Sequence, residues 1–189
     1  MTETALSGSE AGDPVHIGEH TAFFYGTLMV PDIFHTVCYR HKDQPPTIRA
    51  RHTFTPAVLH GYTRHRVHGA DYPGILASPS GSVLGRYVTG LSAANLAALD
   101  FFEGSQYERR TVTVKLLTHV GDPATGAGNV EGEARRTAVY VFRDAEELEE
   151  KEWDFAEFQR DKMHMWTRAG YAFAECDPED LAHIAEDQK

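Results

Sequence analysis

Three short segments hold the side chains whose types and spacing suit chemistry. Phe24-Tyr25-Gly26-Thr27-Leu28 ends an aromatic run, Tyr72-Pro73-Gly74-Ile75 follows, and Leu99-Asp100-Phe101-Phe102-Glu103-Gly104-x-x-Tyr107-x-Arg109 closes an apolar stripe of helical spacing. Glu103 is the ionisable group that stands out. A carboxylate in the last turn of a helix opposes the helix dipole, which weighs against a purely stabilising role. Phe101, Phe102 and Tyr107 are placed to wall it from water, and burial raises a carboxyl pKa. Gly26 either ends a strand or lets the backbone approach a ligand, since it has no side chain; the residues alone leave both open. Tyr72-Pro73 reads as a rigid extended segment or as a cavity wall. Arg109 and Arg110 open a strand, where pairing with surface carboxylates and binding a substrate are equally open.

Other fingerprints fail. Gly126, Gly128 and Gly132 give G-x-G-x-x-x-G in a polar loop, one residue off the dinucleotide spacing and outside a strand-to-helix turn. There is no P-loop, GxSxG elbow or HExxH. His60, His65 and His68 cluster in sequence, but on a strand His65 points away from the other two, so they read as surface or structural histidines. Arg40, Lys42, Arg49, Arg51, Arg64 and Arg66 face only Asp43 in their stretch and read as a solvated strand pair and loop.

The elements that must position these residues follow from period and punctuation. His20–Tyr25 suits a buried strand ended by Gly26, and Pro31 opens a helix with Phe34, Val37 and Cys38 on one face. Strands are expected at Phe54–Val67, at Tyr72–Leu76 and, after a turn, at Ser82–Leu91. Ser92 is a helix N-cap, Leu96, Leu99 and Phe102 form the stripe behind it, and Gly104 is placed to end the helix left-handed. Val112, Val114 and Leu116 alternate as a half-buried strand; residues 119–134 read as a mobile loop and Thr137–Arg143 as a strand. Asp144 is expected to cap a long acidic helix running into the 160s. Strands and helices without βαβ alternation indicate α+β with a mixed, largely antiparallel sheet. Residues 1–19 read as a flexible N-terminal arm, 20–170 as a single domain including the acidic helix, and 171–189 as an acidic tail.

The YGTL loop, the YPG and the LDFFEGxxYxR, in this order, resemble the gamma-glutamylcyclotransferase-like family, particularly its AIG2-like branch. The resemblance is strong over residues 21–118 and weaker over 137–166, where Glu152-Trp153-Asp154-Phe155-x-x-Phe158 is similar to the last helix of AIG2-like members. It implies a small barrel-like mixed sheet flanked by helices, with a cavity at one end. It further implies that Tyr25, Gly26, Thr27 and Leu28 hold substrate through their backbone, that Tyr72, Pro73 and Tyr107 line the site, and that Glu103 is the general base and then acid. In the implied acyltransferase or lyase reaction, of the kind used in glutathione metabolism, the α-amine of a γ-glutamyl group attacks its own γ-carbonyl. The products are 5-oxoproline and a free amine or amino acid; the partner is a small γ-glutamyl peptide or amine, with no metal or organic cofactor.

These residue types fit that chemistry. An ammonium of pKa about 8 must lose a proton and the leaving amine must gain one, so one carboxylate can relay it. Backbone N–H groups at a Gly-containing turn can meet charge developing on the γ-carbonyl oxygen, and orientation of a folded conformer contributes about 7–11 kcal/mol. Two rivals stand beside this reading. One is a non-catalytic ligand-binding or protein-interaction module keeping the family cavity, suggested by the acidic extensions; the other is a different acyl or amine transfer in the same pocket.

Composition sets the outer bounds. With 189 residues, 41% hydrophobic, the chain suits one domain with a core. A net charge of −10 argues against coating nucleic acid or an anionic membrane. The deficit lies at the ends: residues 21–143 carry 13 Lys and Arg against 9 Asp and Glu, a mildly basic core suited to an anionic substrate. The absence of a leader pattern or long apolar run, with only Cys38 and Cys176, leads to a cytoplasmic expectation. No oligomeric state is implied.

Overall fold

The aromatic run becomes strand β1, His20–Phe24, in a computed structural model that describes residue 18 and residues 20–166. The expected arm, apart from residue 18, and the whole expected tail over 171–189 lie outside the described residues, as do residues 167–170 of the expected domain. Helix α1, Pro31–Tyr39, and a short α2, Pro46–Arg49, lead to β2, Phe54–Arg66, and β3, Pro73–Leu91. Helix α3, Ala93–Glu103, precedes β4, Tyr107–His119, and β5, Val130–Phe142. Two short helices follow, α4, Phe155–Asp161, and α5, Met163–Trp166.

The strands close into a barrel in the order β1-β3-β2-β4-β5. Every pairing is antiparallel except β1 with β5, which is parallel and pairs Ala22 with Ala138. The Thr21 hydroxyl donates to Thr137 Oγ1 across the same seam at 2.9 Å. The architecture is the mixed, largely antiparallel α+β barrel that the sequence indicates. Both faces of β1 are covered, which explains its unbroken aromatic run. Phe23 and Tyr25 join an all-strand cluster with Leu59, Ile75 and Val139, whereas Ala22 and Phe24 join a second cluster with α1 and α3. There the Phe34 ring meets Phe24 at 5.9 Å and Phe54 at 5.3 Å between centroids. Each fully buried ring of this kind contributes about 1.5–3 kcal/mol. Among the described residues, no helix is long and apolar enough to cross a membrane.

Four local expectations need correction. The two strands expected at Tyr72–Leu76 and Ser82–Leu91 are one, β3. Its partner Tyr62 opposes Ala77 and His60 opposes Ser82, so the turn signals around Pro79 and Gly81 are absorbed in a bulge opposite Gly61, whose φ is 82°. The loop expected over 119–134 is shorter, because β4 reaches His119 and β5 begins at Val130. Gly104 does end α3 with a positive φ of 62°, but its ψ of −158° is extended rather than left-handed helical.

The long acidic helix from Asp144 does not form. Asp144 accepts the Glu146 N–H and caps only a single turn, Ala145–Glu147. The chain then runs extended beside the end of β2: the Glu149 N–H donates to Arg66 O at 2.8 Å, and the Arg66 N–H donates to Lys151 O at 3.1 Å. Acidic side chains at helical i, i+4 spacing repel one another, and here the backbone takes strand-like partners instead. Asp154 restarts the helix, accepting the N–H groups of Ala156 and Glu157.

Candidate active site

Glu103 is the last residue of α3, and local chemistry places it there. The Ser92 hydroxyl accepts the Asn95 N–H at 3.1 Å while Asn95 Oδ1 accepts the Ser92 N–H at 3.0 Å, a reciprocal cap that fixes where the helix begins. Leu99, fully buried, fixes which face turns inward. After Glu103, Gly104 redirects the chain so that Tyr107 opens β4 and returns to the same region.

Three phenols surround this helix end. Tyr25, Tyr107 and Tyr140 are all buried, and each feels the Glu103 charge, which adds to the effect of burial in raising its pKa. Tyr72 also couples to Tyr107 and donates its hydroxyl to Gln106 Oε1 at 3.1 Å. Burial, and secondarily Asp100 one turn earlier, push the Glu103 carboxyl up to about 8. Among the described residues this carboxyl takes no hydrogen bond, although the residue is partly exposed. It is thus walled in, with no cation paired to it among the described residues.

The phenol hydroxyls are already engaged. Tyr25 donates to Tyr140 O at 2.6 Å, Tyr107 to Pro73 O at 2.8 Å, and Tyr140 to Asp100 Oδ1 at 2.8 Å. These rings therefore serve as walls, and their hydroxyls tie β1, β3, β4, β5 and α3 together. Pro73 also meets Gly26: a Cβ on Gly26 would lie 2.8 Å from two carbons of the Pro73 ring. The absent side chain at Gly26 is thus required by the neighbouring proline. Beyond it, the Met29 N–H donates to Gly26 O at 3.0 Å, closing a 3-10 turn over Thr27–Met29.

The structure accordingly brings Glu103, Tyr25, Gly26, Tyr72, Pro73 and Tyr107 to one end of the barrel. Thr27 and Leu28 are buried, and the Leu28 side chain packs in the apolar core, leaving only its backbone for a ligand. Arg109 pairs with Asp100 at 3.2 Å, and Arg110 pairs with Glu108. His60, His65 and His68 go to separate partners, Glu131, the Glu149 carbonyl and the Glu149 carboxylate. A groove at α4, lined by Arg66, Asp71, Trp153 and Phe158 among others, shares no residue with the tyrosine cluster.

Sequence reasoning missed Tyr140, Asp100 and Arg64. Tyr140 lies in a strand whose alternation marks it only as buried. Asp100 is inside the motif but has no visible role until Tyr140 and Arg109 converge on it. Arg64 belongs by sequence to a stretch that reads as solvated, yet its side chain is only 12% exposed.

The model of the gamma-glutamyl cyclotransferase, AIG2-like family matches residues 22–157. The chain belongs to that family. Among curated relatives, Protein AIG2 C of Arabidopsis thaliana is 35% identical over 140 residues, covering 74% of this chain and 72% of the relative. AIG2-like protein D of the same plant is 31% identical over 156 residues, covering 82% and 90%. The solution structure of an Arabidopsis thaliana protein, 26% identical, covers 90% of this chain and 93% of its own with a TM-score of 0.50. The family match spans Tyr25–Leu28, Tyr72–Pro73 and Glu103–Tyr107, all three motifs of this AIG2-like chain.

Proposed function

We propose that the protein is a gamma-glutamyl cyclotransferase in which Glu103 relays one proton. The observation that carries this reading is the Glu103 carboxyl itself, held against three tyrosines with its pKa raised to about 8. That value approaches the pKa of about 8 of an α-ammonium, so proton transfer between them is close to balanced. In the reaction, Glu103 as carboxylate takes a proton from the substrate ammonium. The freed amine attacks the γ-carbonyl carbon, forming the ring C–N bond, and the carbonyl oxygen carries negative charge. When that carbon expels the old amide nitrogen, Glu103 returns its proton to it and the ring nitrogen gives up its second proton to solvent, leaving 5-oxoproline and a neutral amine.

The turn after Tyr25 suits the developing oxyanion, because the N–H groups of Gly26, Thr27 and Leu28 meet no backbone acceptor among the described residues. Tyr25, Tyr72 and Tyr107 supply the walls that hold the substrate folded. The test is release of 5-oxoproline from a panel of γ-glutamyl peptides and γ-glutamylamines. Turnover of at least one, abolished in Glu103→Gln, is expected; full rate in that variant, or no turnover of any panel member, sinks the reading.

A further inference from the structure

Arg64 stands out as a cation placed where a cation is costly. It lies on β2 with its side chain 12% exposed, and its Nε meets no acceptor among the described residues. Among the described residues its carboxylate partner in an ion pair is Glu152 at 3.2 Å, itself 67% exposed. The remaining contacts are the carbonyls of Tyr25 at 3.0 Å and Leu84 at 3.5 Å, and the face of Trp153 at 5.4 Å. Desolvating a guanidinium costs several kcal/mol, and such a site is often as stable or more so when filled with apolar side chains. Stability alone therefore accounts poorly for a charge here.

The Tyr25 carbonyl belongs to the same peptide unit as the Gly26 N–H. No peptide bond in the described chain is cis, so C=O and N–H of that unit point in opposite directions. A charged donor gripping the carbonyl fixes the direction of the N–H, and polarising the peptide strengthens it as a donor. The Gly26 N–H meets no acceptor among the described residues. Pro73 holds the other side of Gly26, leaving the peptide clamped between β2 and β3.

We propose that Arg64 is a positioning residue: by anchoring the Tyr25 carbonyl from behind, it aims the Gly26 N–H at the substrate oxygen that gains charge. This rests on the cyclotransferase reading, and it assigns the reacting loop a support from β2 that the YGTL segment does not contain.

The test compares Arg64→Met, Arg64→Gln and Glu152→Gln with the wild-type protein, following 5-oxoproline release and the Gly26 amide resonance in a 15N-labelled sample. Arg64→Met is expected to lower kcat about ten- to hundredfold with KM nearly unchanged, the pattern of a lost transition-state contact. Arg64→Gln, which keeps a neutral donor, falls between, and it serves if the methionine variant does not fold. Glu152→Gln, which removes only the ion pair, keeps kcat close to wild type. The Gly26 amide proton shifts upfield in both Arg64 variants and stays in place in Glu152→Gln. A purely structural role would lower the melting temperature without separating kcat from KM. An unchanged kcat, a change confined to KM, or an unmoved Gly26 amide overturns the inference, while inactivity of Glu103→Gln leaves the cyclotransferase reading standing. Absence of product from the wild-type protein overturns that reading instead, and is told apart because the Gly26 amide still responds to Arg64.

Discussion

Glu103 is held where its charge is disfavoured, which makes it a liability for stability as well as an asset for chemistry. Its carboxyl keeps a proton up to about pH 8 in the fold, against an ordinary value of 4.5. Between those values the folded state binds the extra proton, so stability is lost as pH rises through that window and the loss is complete above it. Glu103→Gln keeps the shape without the ionisation. It is expected to melt above the wild-type protein at pH 9, by about 2–4 °C for each kcal/mol relieved, and to match it below pH 4.5; calorimetry at the two pH values decides, and equal melting at both refutes the burial argument. Asp100 adds to the shift in Glu103. Asp100→Asn should therefore move the acid limb of the kcat/KM profile, centred at about 8 in the wild-type protein, to lower pH, and an unmoved limb would remove Asp100 from the account. At this scale Glu103, Tyr25 and Tyr107 were legible because motif and chemistry coincide on them. Tyr140 and Arg64 were not, because inward alternation and a basic neighbourhood say nothing about which group each will meet.

Helix α3 shows how an element can be fully local. Ser92, Asn95, Leu99 and Gly104 encode its start, buried face and end within thirteen residues, and the structure places the helix between them. Its two ends should respond differently to substitution. Ser92→Ala removes the reciprocal cap and is expected to cost about 1 kcal/mol in chemical denaturation with kcat unchanged. Gly104→Ala forces a side chain onto a φ of 62°, costing about 1–3 kcal/mol. Since the turn directly follows Glu103, it should also lower kcat. A Gly104→Ala variant with wild-type kcat would show that the carboxyl is held independently of the turn. The segment after β5 is the opposite case. Asp144 signals a cap and the residues after it suit a helix, yet the backbone from Glu149 to Lys151 bonds to β2, a partner more than eighty residues away that no local pattern announces. The bulge in β3 is similar: Pro79 and Gly81 mark a break, and only pairing with β2 decides that the strand continues through it.

At the scale of the molecule, two buried ionisable groups pull stability in opposite directions with pH. His35 lies between Phe34, Tyr39 and His52, and burial pulls its pKa from 6.5 down to about 4. Below 6.5 the unfolded chain takes a proton that folded His35 refuses, so stability is lost as pH falls through that range. Glu103 loses stability as pH rises from 4.5 to about 8. The two slopes oppose each other between 4.5 and 6.5, and only the Glu103 slope remains above that. The melting temperature is expected to be level between about pH 4.5 and 6.5, where the two slopes cancel, and to decline toward pH 8, with the decline absent in Glu103→Gln; a flat profile from 6.5 to 8 would contradict it. The sequence by itself determined the α+β class, most of the strands, α3 with its N-cap, and the three motifs, because each depends on residues close together in the chain. Only the tertiary structure decided that Pro73 fills the space beside Gly26, that Arg64 grips the Tyr25 carbonyl, and that Tyr140 completes the wall around Glu103. Those contacts form when β1 closes the barrel against β3 and β5, joining residues whose separation along the chain leaves no periodic trace.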